Sequence, residues 1–326
     1  MLLLTKSIFA IMLGFFISAI LGFFIVPLLK KLHVGQRISA YVGANHKKKE
    51  GTPTMGGIIF ILGTVITMLF LVLTGRVDYT SNLGIVLIVF IGHGLIGFLD
   101  DFLSIKKHNN EGLTVYQKLF LQVLIAIVFF YIYMKNGGQT SFVVGTLHID
   151  IEMGFIYGLF ILLILVGSTN AVNLTDGLDG LAGGLSAIAM LAFALISLMV
   201  GYEDIGIFCL VLCGSVCGFL LYNTYPARVF MGDTGSLALG GAMGAIAILT
   251  HRELTLIVVA GVFIIETLSV IIQSISVQVF HKKVFLMTPL HHHFEKLGWK
   301  ETDIVKMFWI VGLILACAGI LFGVWL

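Results

Sequence analysis

The stretch IVLIVFIGHGLIGFLDDFLSIKK, residues 85–107, decides how this chain folds. It begins with an apolar run long enough to form most of a bilayer-spanning α-helix, and two aspartates and two lysines follow the run. A charge near the bilayer centre costs about 2.5 to 3.5 kcal/mol on insertion scales. We therefore predict a spanning helix that carries Asp100 and Asp101 to one membrane surface, where acids indicate binding of an ion or a substrate.

Similar apolar stretches recur along all 326 residues, of which 59% are hydrophobic and only 11% are charged. This composition argues against a soluble protein and predicts an all-α integral membrane protein with about ten transmembrane helices, formed as one domain over residues 1–326. Ten crossings place both termini on the same side of the membrane. The predicted crossings are residues 7–29, 54–74, 83–99, 119–134, 154–172, 181–200, 205–222, 236–250, 256–280 and 304–325.

The lysines and arginines divide unevenly between the two sides of this predicted bundle. Fifteen of the 19 lie on one side and four on the other. Because loops rich in these residues face the cytoplasm in membrane proteins, we predict that the richer loops are cytoplasmic and that both termini are external. The richer loops are 30–53, 100–118, 173–180, 223–235 and 281–303, with Lys306 just inside the last crossing.

Two segments depart from the pattern of plain spanning helices. Residues 139–151 alternate β-branched residues around Gly145, which predicts a small β-hairpin on the external face. The crossing at 256–280 is long and carries Glu266 inside an apolar run. We expect this helix to be tilted or bent, with the carboxylate turned toward the protein interior.

Three further aspartates lie on the same side as the first pair. Asp176 and Asp179 stand three residues apart in NAVNLTDGLDG (170–180), which places both on one helical face, and Asp233 lies between glycines just before an apolar segment. Taken alone, these acids also fit solvated helix ends or, for Asp233, a helix cap. Such a carboxylate equally suits Mg²⁺, which takes few carboxylates and completes its coordination with water and substrate phosphates.

Two more polar segments lie on this side. The three consecutive histidines in PLHHHFE (289–295) supply donors for phosphate oxygens. We favour phosphate contact over a zinc site, because adjacent positions seldom let several rings converge on one metal. In KKKEGTPTMGG (47–57) the lysines fit an anchor on anionic lipid, but such an anchor does not explain Thr-Pro-Thr.

Several common motifs are absent or misplaced. The pattern G-x-G-x-x-G occurs at residues 92–97, but it lies within a predicted crossing and lacks the strand that precedes a dinucleotide-binding loop. Neither G-x-x-x-x-G-K-[ST] nor H-E-x-x-H occurs. The sequence therefore lacks the motifs that usually indicate an ATP-driven pump or a zinc protease.

Together these segments resemble one family, the polyprenyl-phosphate N-acetylhexosamine-1-phosphate transferases, and within it the muramoyl-pentapeptide branch of bacterial cell-wall synthesis. The resemblance covers nearly the whole chain. Its most specific segments are GTPTMGG (51–57), LDD (99–101), NAVNLTDGLDGLA (170–182), RVFMGDTGS (228–236) and PLHHHFE (289–295).

The resemblance implies a ten-helix enzyme of the bacterial plasma membrane with its active site on the cytoplasmic side. It implies transfer of a phospho-sugar from a UDP-linked donor, here UDP-N-acetylmuramoyl-pentapeptide, to undecaprenyl phosphate, with release of UMP and formation of lipid I. It further implies a requirement for Mg²⁺ and contact with membrane lipid, permits a homodimer and involves no nucleic acid.

The resemblance also assigns residues. The essential aspartate pair of the family falls on Asp100 and Asp101, and its metal-binding aspartate falls on Asp233. The histidines His291, His292 and His293 join this catalytic group. The substrate-binding positions are Lys49, Thr54, Asn170, Asn173, Asp176, Gly177, Leu178, Asp179, Asn223, Phe230 and Gln273, of which Gln273 is placed by spacing alone.

The expected chemistry leaves a general base little to do, because the second pKa of a phosphate monoester is near 6 and the acceptor is largely a dianion at neutral pH. We expect Asp100 to act as base or to orient the acceptor, Phe230 to stack on uracil, and direct transfer rather than a covalent intermediate on Asp233. One rival is a sister transferase that uses UDP-N-acetylglucosamine. Another is a cation transporter, which should show acids near the membrane midplane and inverted repeats, whereas here only Glu266 is deep.

Overall fold

The computed structural model describes residues 2–32, 51–107, 112–144 and 149–325. Within these ranges the chain forms twelve helices and one two-stranded sheet. The helices are α1 (Leu2–Lys31), α2 (Gly57–Leu73), α3 (Ser81–Lys106), α4 (Val115–Lys135), α5 (Ile156–Thr175), α6 (Leu181–Met199), α7 (Glu203–Asn223), α8 (Gly232–Leu249), α9 (Glu253–Val259), α10 (Gly261–Phe280), α11 (Leu290–Lys296) and α12 (Glu301–Trp325).

The predicted all-α membrane architecture is confirmed. In the described ranges, nine helices are at least 18 residues long and apolar enough to cross a membrane, and α2 is a shorter apolar helix of 17 residues. Each of the ten predicted crossings coincides with one of these helices, although the ends differ by several residues. The protein is a multi-pass membrane protein.

The predicted bend in the crossing at 256–280 is an interruption of the helix. α9 ends at Val259 and α10 begins at Gly261, on either side of Ala260. Beyond this break Glu266 is fully buried, as the sequence predicts. The predicted crossing therefore consists of the short helix α9 followed by the longer helix α10.

The two paired strands predicted near Gly145 are also present. Strand β1 (Ser141–Val144) pairs antiparallel with β2 (Ile149–Glu152), and Ser141 lies opposite Glu152. The turn predicted around Gly145 lies outside the described residues. The glycines of the G-x-G-x-x-G pattern lie inside α3, which confirms that this pattern is not a dinucleotide-binding loop.

Glycines allow the central helices to approach closely. α8 is the most buried spanning helix, and its Gly240 and Gly244 lie against Ser168 of α5, so that an added Cβ would overlap that residue. Small residues at such contacts let helix backbones pack together in a membrane. A Cβ at Gly97 of α3 would likewise overlap the carbonyl of Asp233, and this contact brings the end of α3 against the start of α8.

Candidate active site

The segment at 53–57 and the loop before α8 lie side by side, although some 170 residues separate them in sequence. Phe230 N–H donates to Pro53 O at 2.8 Å, and Gly56 N–H donates to Phe230 O at 2.8 Å. Gly57 N–H then donates to Met231 O at 2.9 Å. Two of the motifs singled out from the sequence therefore form one backbone-paired unit.

Asp101 anchors the start of α8. It is buried and accepts hydrogen bonds from Thr234 N–H at 3.0 Å, from the Thr234 hydroxyl at 2.6 Å and from Asp233 N–H at 3.3 Å. The first amides of a helix lack partners within the helix, and a carboxylate satisfies them well. The cap considered for Asp233 is therefore supplied by Asp101 of α3, which leaves the Asp233 carboxylate available for other contacts.

The carboxylates of Asp100 and Asp233 share one cation. Lys118 Nζ lies 3.2 Å from Asp100 Oδ1 and 2.5 Å from Asp233 Oδ2, and all three side chains are largely but not fully buried. The other oxygen of Asp233 accepts a hydrogen bond from Asn173 Nδ2 at 2.7 Å. Asp100 also accepts from Leu113 N–H at 2.9 Å. This chain of contacts is the acidic centre of the molecule.

Lys118 was not predicted as a site residue. From the sequence it is one of fifteen cations on the predicted cytoplasmic side. A usable signal was present, because Thr114 and Gln117 form a capping box that fixes the first turn of α4 at the membrane surface. A lysine in that turn lies at the same surface as the aspartates. Only the tertiary contact between α4 and α8 shows that it joins them.

The acidic centre fits a bound magnesium ion. The described residues contain no group of three His, Cys, Asp or Glu side chains arranged to hold a metal. Mg²⁺ does not require one, since it is bound through one or two carboxylates together with water and substrate phosphates. The ammonium of Lys118 already occupies the position between Asp100 and Asp233, which shows that this position accommodates positive charge.

Asp176 belongs to the same electrostatic unit. Burial, and then the nearby charges of Asp233, Asp101 and Asp179, raise the pKa of its carboxyl group to about 8. Protein atoms surround the side chain, yet part of its surface remains accessible. Because several acids crowd one small region, a cation or a proton is favoured there at neutral pH.

Asp179 and Asn223 hold the loop between α7 and α8. Asp179 Oδ2 accepts from Ala227 N–H at 2.9 Å, and Asn223 bridges Gly180 N–H and Val229 O at 3.2 and 3.0 Å. Both side chains are nearly fully buried. These two predicted substrate-binding residues thus fix the shape of the loop that carries Phe230, which itself remains half-buried.

The other predicted substrate-binding residues are more scattered. Asn170 donates to Gln122 Oε1 at 3.2 Å, one helical turn from Asn173. Thr54 is buried, and the structure places its hydroxyl beside Gly232, where an added Cβ would collide with it. Leu178 is buried. The position predicted at Lys49 lies outside the described residues.

The three histidines differ in their surroundings. His291 is fully buried, and its Nε2 lies where a side chain at Gly177 would be. His292 Nδ1 pairs with Glu295 Oε2 at 2.6 Å. His293 Nδ1 accepts from Leu286 N–H at 3.1 Å. Contact of these histidines with phosphate stays a prediction, and in this structure the short helix α11 turns its first histidine inward.

Glu266 is the buried partner of His291. Glu266 Oε1 accepts from His291 N–H at 3.2 Å, and Glu266 Oε2 lies 3.3 Å from His291 Nδ1, without hydrogen-bond geometry. Burial lowers the pKa of His291, while Glu266 opposes this shift. Glu266 thus holds the helix that carries the histidines. This is the acid that a cation transporter would have placed along its ion path, and here it contacts His291 instead.

We predict a stability test for His291. Because its pKa is lowered by burial, the unfolded chain takes up a proton first as pH falls below the ordinary value of 6.5, and stability is lost on acidification. The thermal midpoint of the purified protein should therefore fall more between pH 7.5 and 5.5 than that of His291→Gln. The exposed His281→Gln is the control. An equal fall in thermal midpoint between pH 7.5 and 5.5 for the wild type and both variants would contradict the burial of a neutral His291.

The side-chain amide of Gln273 bonds to the backbone of a loop, and its predicted contact with substrate stays a prediction. Its Oε1 accepts from Val284 N–H and Phe285 N–H, both at 3.0 Å, and its Nε2 donates to Phe285 O at 2.9 Å. The amide is thus occupied by the backbone of the loop that leads to α11. Gln273 positions this loop.

The bundle of apolar helices thus gathers several acids, a lysine and glycine-flanked loops at one end, an arrangement that a membrane transferase could use. In agreement, residues 83–251 match the family model described as glycosyl transferase family 4. Residues 49–61 match the model described as phospho-N-acetylmuramoyl-pentapeptide-transferase signature 1.

The similarity to individual relatives extends along the chain. It is 49% identical over 321 residues to the phospho-N-acetylmuramoyl-pentapeptide-transferase of Geobacillus sp. (strain WCH70), with 98% of each chain covered. It is 46% identical over 320 residues to the enzyme of that name from Bacillus subtilis (strain 168), again with 98% of each covered. This chain belongs to the phospho-N-acetylmuramoyl-pentapeptide-transferase family, which confirms the resemblance found in its motifs.

Proposed function

We propose that this protein transfers phospho-N-acetylmuramoyl-pentapeptide from its UDP-linked donor to undecaprenyl phosphate, giving lipid I and UMP in peptidoglycan synthesis. The observation that carries the proposal is the acidic centre, in which Asp100, Lys118, Asn173 and Asp233 from four helices meet at one end of the bundle. Two anionic phosphates can approach each other only where cations offset their charge.

The two adjacent aspartates have different roles, one in orienting the acceptor phosphate and the other in holding the loop before α8. Asp100 is partly accessible and faces Lys118, so it is placed to orient the acceptor phosphate. An oxygen of that phosphate attacks the sugar-bearing phosphorus of the donor, and the bond between this phosphorus and the oxygen of UMP breaks. Asp101 is buried and holds the loop that presents Asp233. Phe230, on the same loop, offers its ring to uracil.

Asp233, with Asp100 beside it, would hold Mg²⁺ together with the donor diphosphate. When bound, the ion supplies neutralisation of the donor phosphates and assists departure of UMP. Lys118 keeps the two carboxylates together before substrate binds and offsets their mutual repulsion. Asn173 fixes the second oxygen of Asp233 and so sets the orientation of its carboxylate.

A choice of donors tests the proposed function. The purified protein is given undecaprenyl phosphate and Mg²⁺ with either UDP-N-acetylmuramoyl-pentapeptide or UDP-N-acetylglucosamine, and release of UMP is measured. We expect UMP only from the first donor. Release from UDP-N-acetylglucosamine alone would assign the protein to the sister reaction and overturn the proposal.

The proposed reaction takes place on the cytoplasmic side, as the excess of lysine and arginine there predicts. Cysteines introduced at the exposed positions Lys283 and Gln139, with Cys217 and Cys317 replaced, report this orientation. In intact cells a membrane-impermeant maleimide should label Gln139→Cys and leave Lys283→Cys unlabelled until the membrane is opened. The reverse pattern would invert the topology.

A further inference from the structure

A cavity of about 450 Å³ lies between the end of α1 and the end of α7 with the loop that follows it. On the α1 side its lining includes Phe23, Val26 and Lys30, and on the other side Tyr222 and Arg228. Its size is that of a small-molecule site. None of these five residues contacts the acidic centre in the hydrogen bonds and ion pairs of the described part of the chain.

The guanidinium of Arg228 is held in a fixed position. Its Cζ lies 4.7 Å from the centroid of the Tyr222 ring, and one of its nitrogens donates to Leu221 O at 2.7 Å. The ring itself is fixed, because its hydroxyl donates to Ala19 O at 2.6 Å and Gly22 leaves the space that the ring fills. A cation stacked on a ring in this way is preorganised for a ligand.

The charge at this cavity is unbalanced. Across the described ranges, neither Lys30 nor Arg228 forms an ion pair with a carboxylate. Both side chains are exposed. Lys30 lies at the end of α1, and Phe23, two turns earlier in the same helix, is also exposed. Two cations beside an apolar cavity at the membrane surface are complementary to a phosphate that carries hydrocarbon chains.

We propose that this cavity binds one anionic glycerophospholipid of the surrounding membrane. Its phosphate lies between Lys30 and Arg228, and an acyl chain follows Phe23 and Val26. The binding itself does not depend on the proposed transfer reaction, so each can fail without the other.

The bound lipid also acts on the loop before α8. Arg228 N–H donates to Tyr222 O at 2.7 Å, and the neighbouring Ala227 N–H donates to Asp179. Phe230 and Asp233 follow within five residues. A lipid held by Arg228 therefore stabilises the loop that presents these two residues to the donor. This effect rests on the proposed function, and loss of the lipid should raise the KM for the donor.

Binding is measured on the delipidated protein in detergent by native mass spectrometry during titration with dioleoyl phosphatidylglycerol. Each surface charge is worth about a fivefold change in affinity, so Lys30→Gln combined with Arg228→Gln should weaken binding by about 20-fold or more. Two matched controls should bind as the wild type does. Arg76→Gln removes a guanidinium that also lies 4.7 Å from a ring, that of Phe9, and Lys31→Gln removes the neighbouring charge.

Three outcomes overturn the proposal. They are equal affinity of the double variant and the wild type, equal affinity for dioleoyl phosphatidylcholine, and binding at this cavity of undecaprenyl phosphate but not phosphatidylglycerol. The thermal midpoint shows whether the double variant folds. If it does not, the single variant Lys30→Gln decides the matter, because Lys30 is exposed and should lose about fivefold in affinity.

Discussion

Asp233→Asn should lower the rate of transfer by more than about 100-fold while the protein remains folded. The neutral amide holds a divalent cation poorly, and it loses the ion pair that Asp233 Oδ2 forms with Lys118 at 2.5 Å. A metal ion contributes several kcal/mol of charge stabilisation in such reactions, and each factor of ten in rate corresponds to about 1.4 kcal/mol. Steady-state transfer at saturating Mg²⁺ measures this effect.

The matched control is Asp303→Asn, which removes an exposed carboxylate in the first turn of α12. It should retain wild-type activity. Near-normal, Mg²⁺-dependent turnover in Asp233→Asn would show that the Asp233 carboxylate is not needed to hold the metal ion. An equal loss in both variants would instead point to a general effect of surface charge.

Asp100→Asn and Asp101→Asn should both cripple transfer, but in different ways. Asp100 faces Lys118 and is partly accessible, whereas Asp101 is buried and its oxygens accept from the amide and hydroxyl of Thr234. Loss of an orienting carboxylate becomes less important as the acceptor becomes fully dianionic, so the Asp100→Asn defect should ease toward pH 9. The Asp101→Asn defect should persist across this pH range. The asparagine NH₂ group can face the N–H and O–H donors of Thr234, and two donors cannot form a hydrogen bond with each other.

Rate profiles of both variants from about pH 6 to 9 distinguish these roles. Thr234→Val gives an independent control, since it removes the hydroxyl that donates to Asp101 at 2.6 Å and should reproduce part of the Asp101 defect. If Asp100 and Asp101 merely ended α3, each change would alter stability by less than about 1 kcal/mol and leave transfer intact. The same pH dependence in both variants would show that the division of roles is wrong.

The sequence predicted the spanning helices well because hydrophobic length is a local property. The apolar run before Asp100 forms a helix where the composition places it, whereas the sequence predicted a tilt or bend in the crossing at 256–280 without locating the break at Ala260. The helix ends were less accurate, since α1 and α3 continue beyond their apolar runs into charged residues. Charge marks a membrane surface, but hydrogen bonding decides where a helix stops.

The site was predictable only in part. Asp233 was singled out by its flanking glycines and Asp101 by its place at the end of an apolar run, but their different contacts depend on which helix end faces which carboxylate. Lys118 and Glu266 carry no motif, and each acquires its role through a contact across more than 20 residues of sequence. The burial of His291 follows from the packing of α11 against Glu266, which composition does not reveal.

In the proposed reaction a phospho-sugar, rather than a sugar alone, moves to the lipid. A UDP-N-acetylmuramoyl-pentapeptide donor labelled with ³²P only at the phosphate bonded to the sugar distinguishes the two, with undecaprenyl phosphate as acceptor. We expect all transferred label to enter the organic phase as a lipid diphosphate and the released UMP to be unlabelled. Labelled UDP in the aqueous phase, with an unlabelled lipid product, would show transfer of the sugar alone and contradict the proposed reaction.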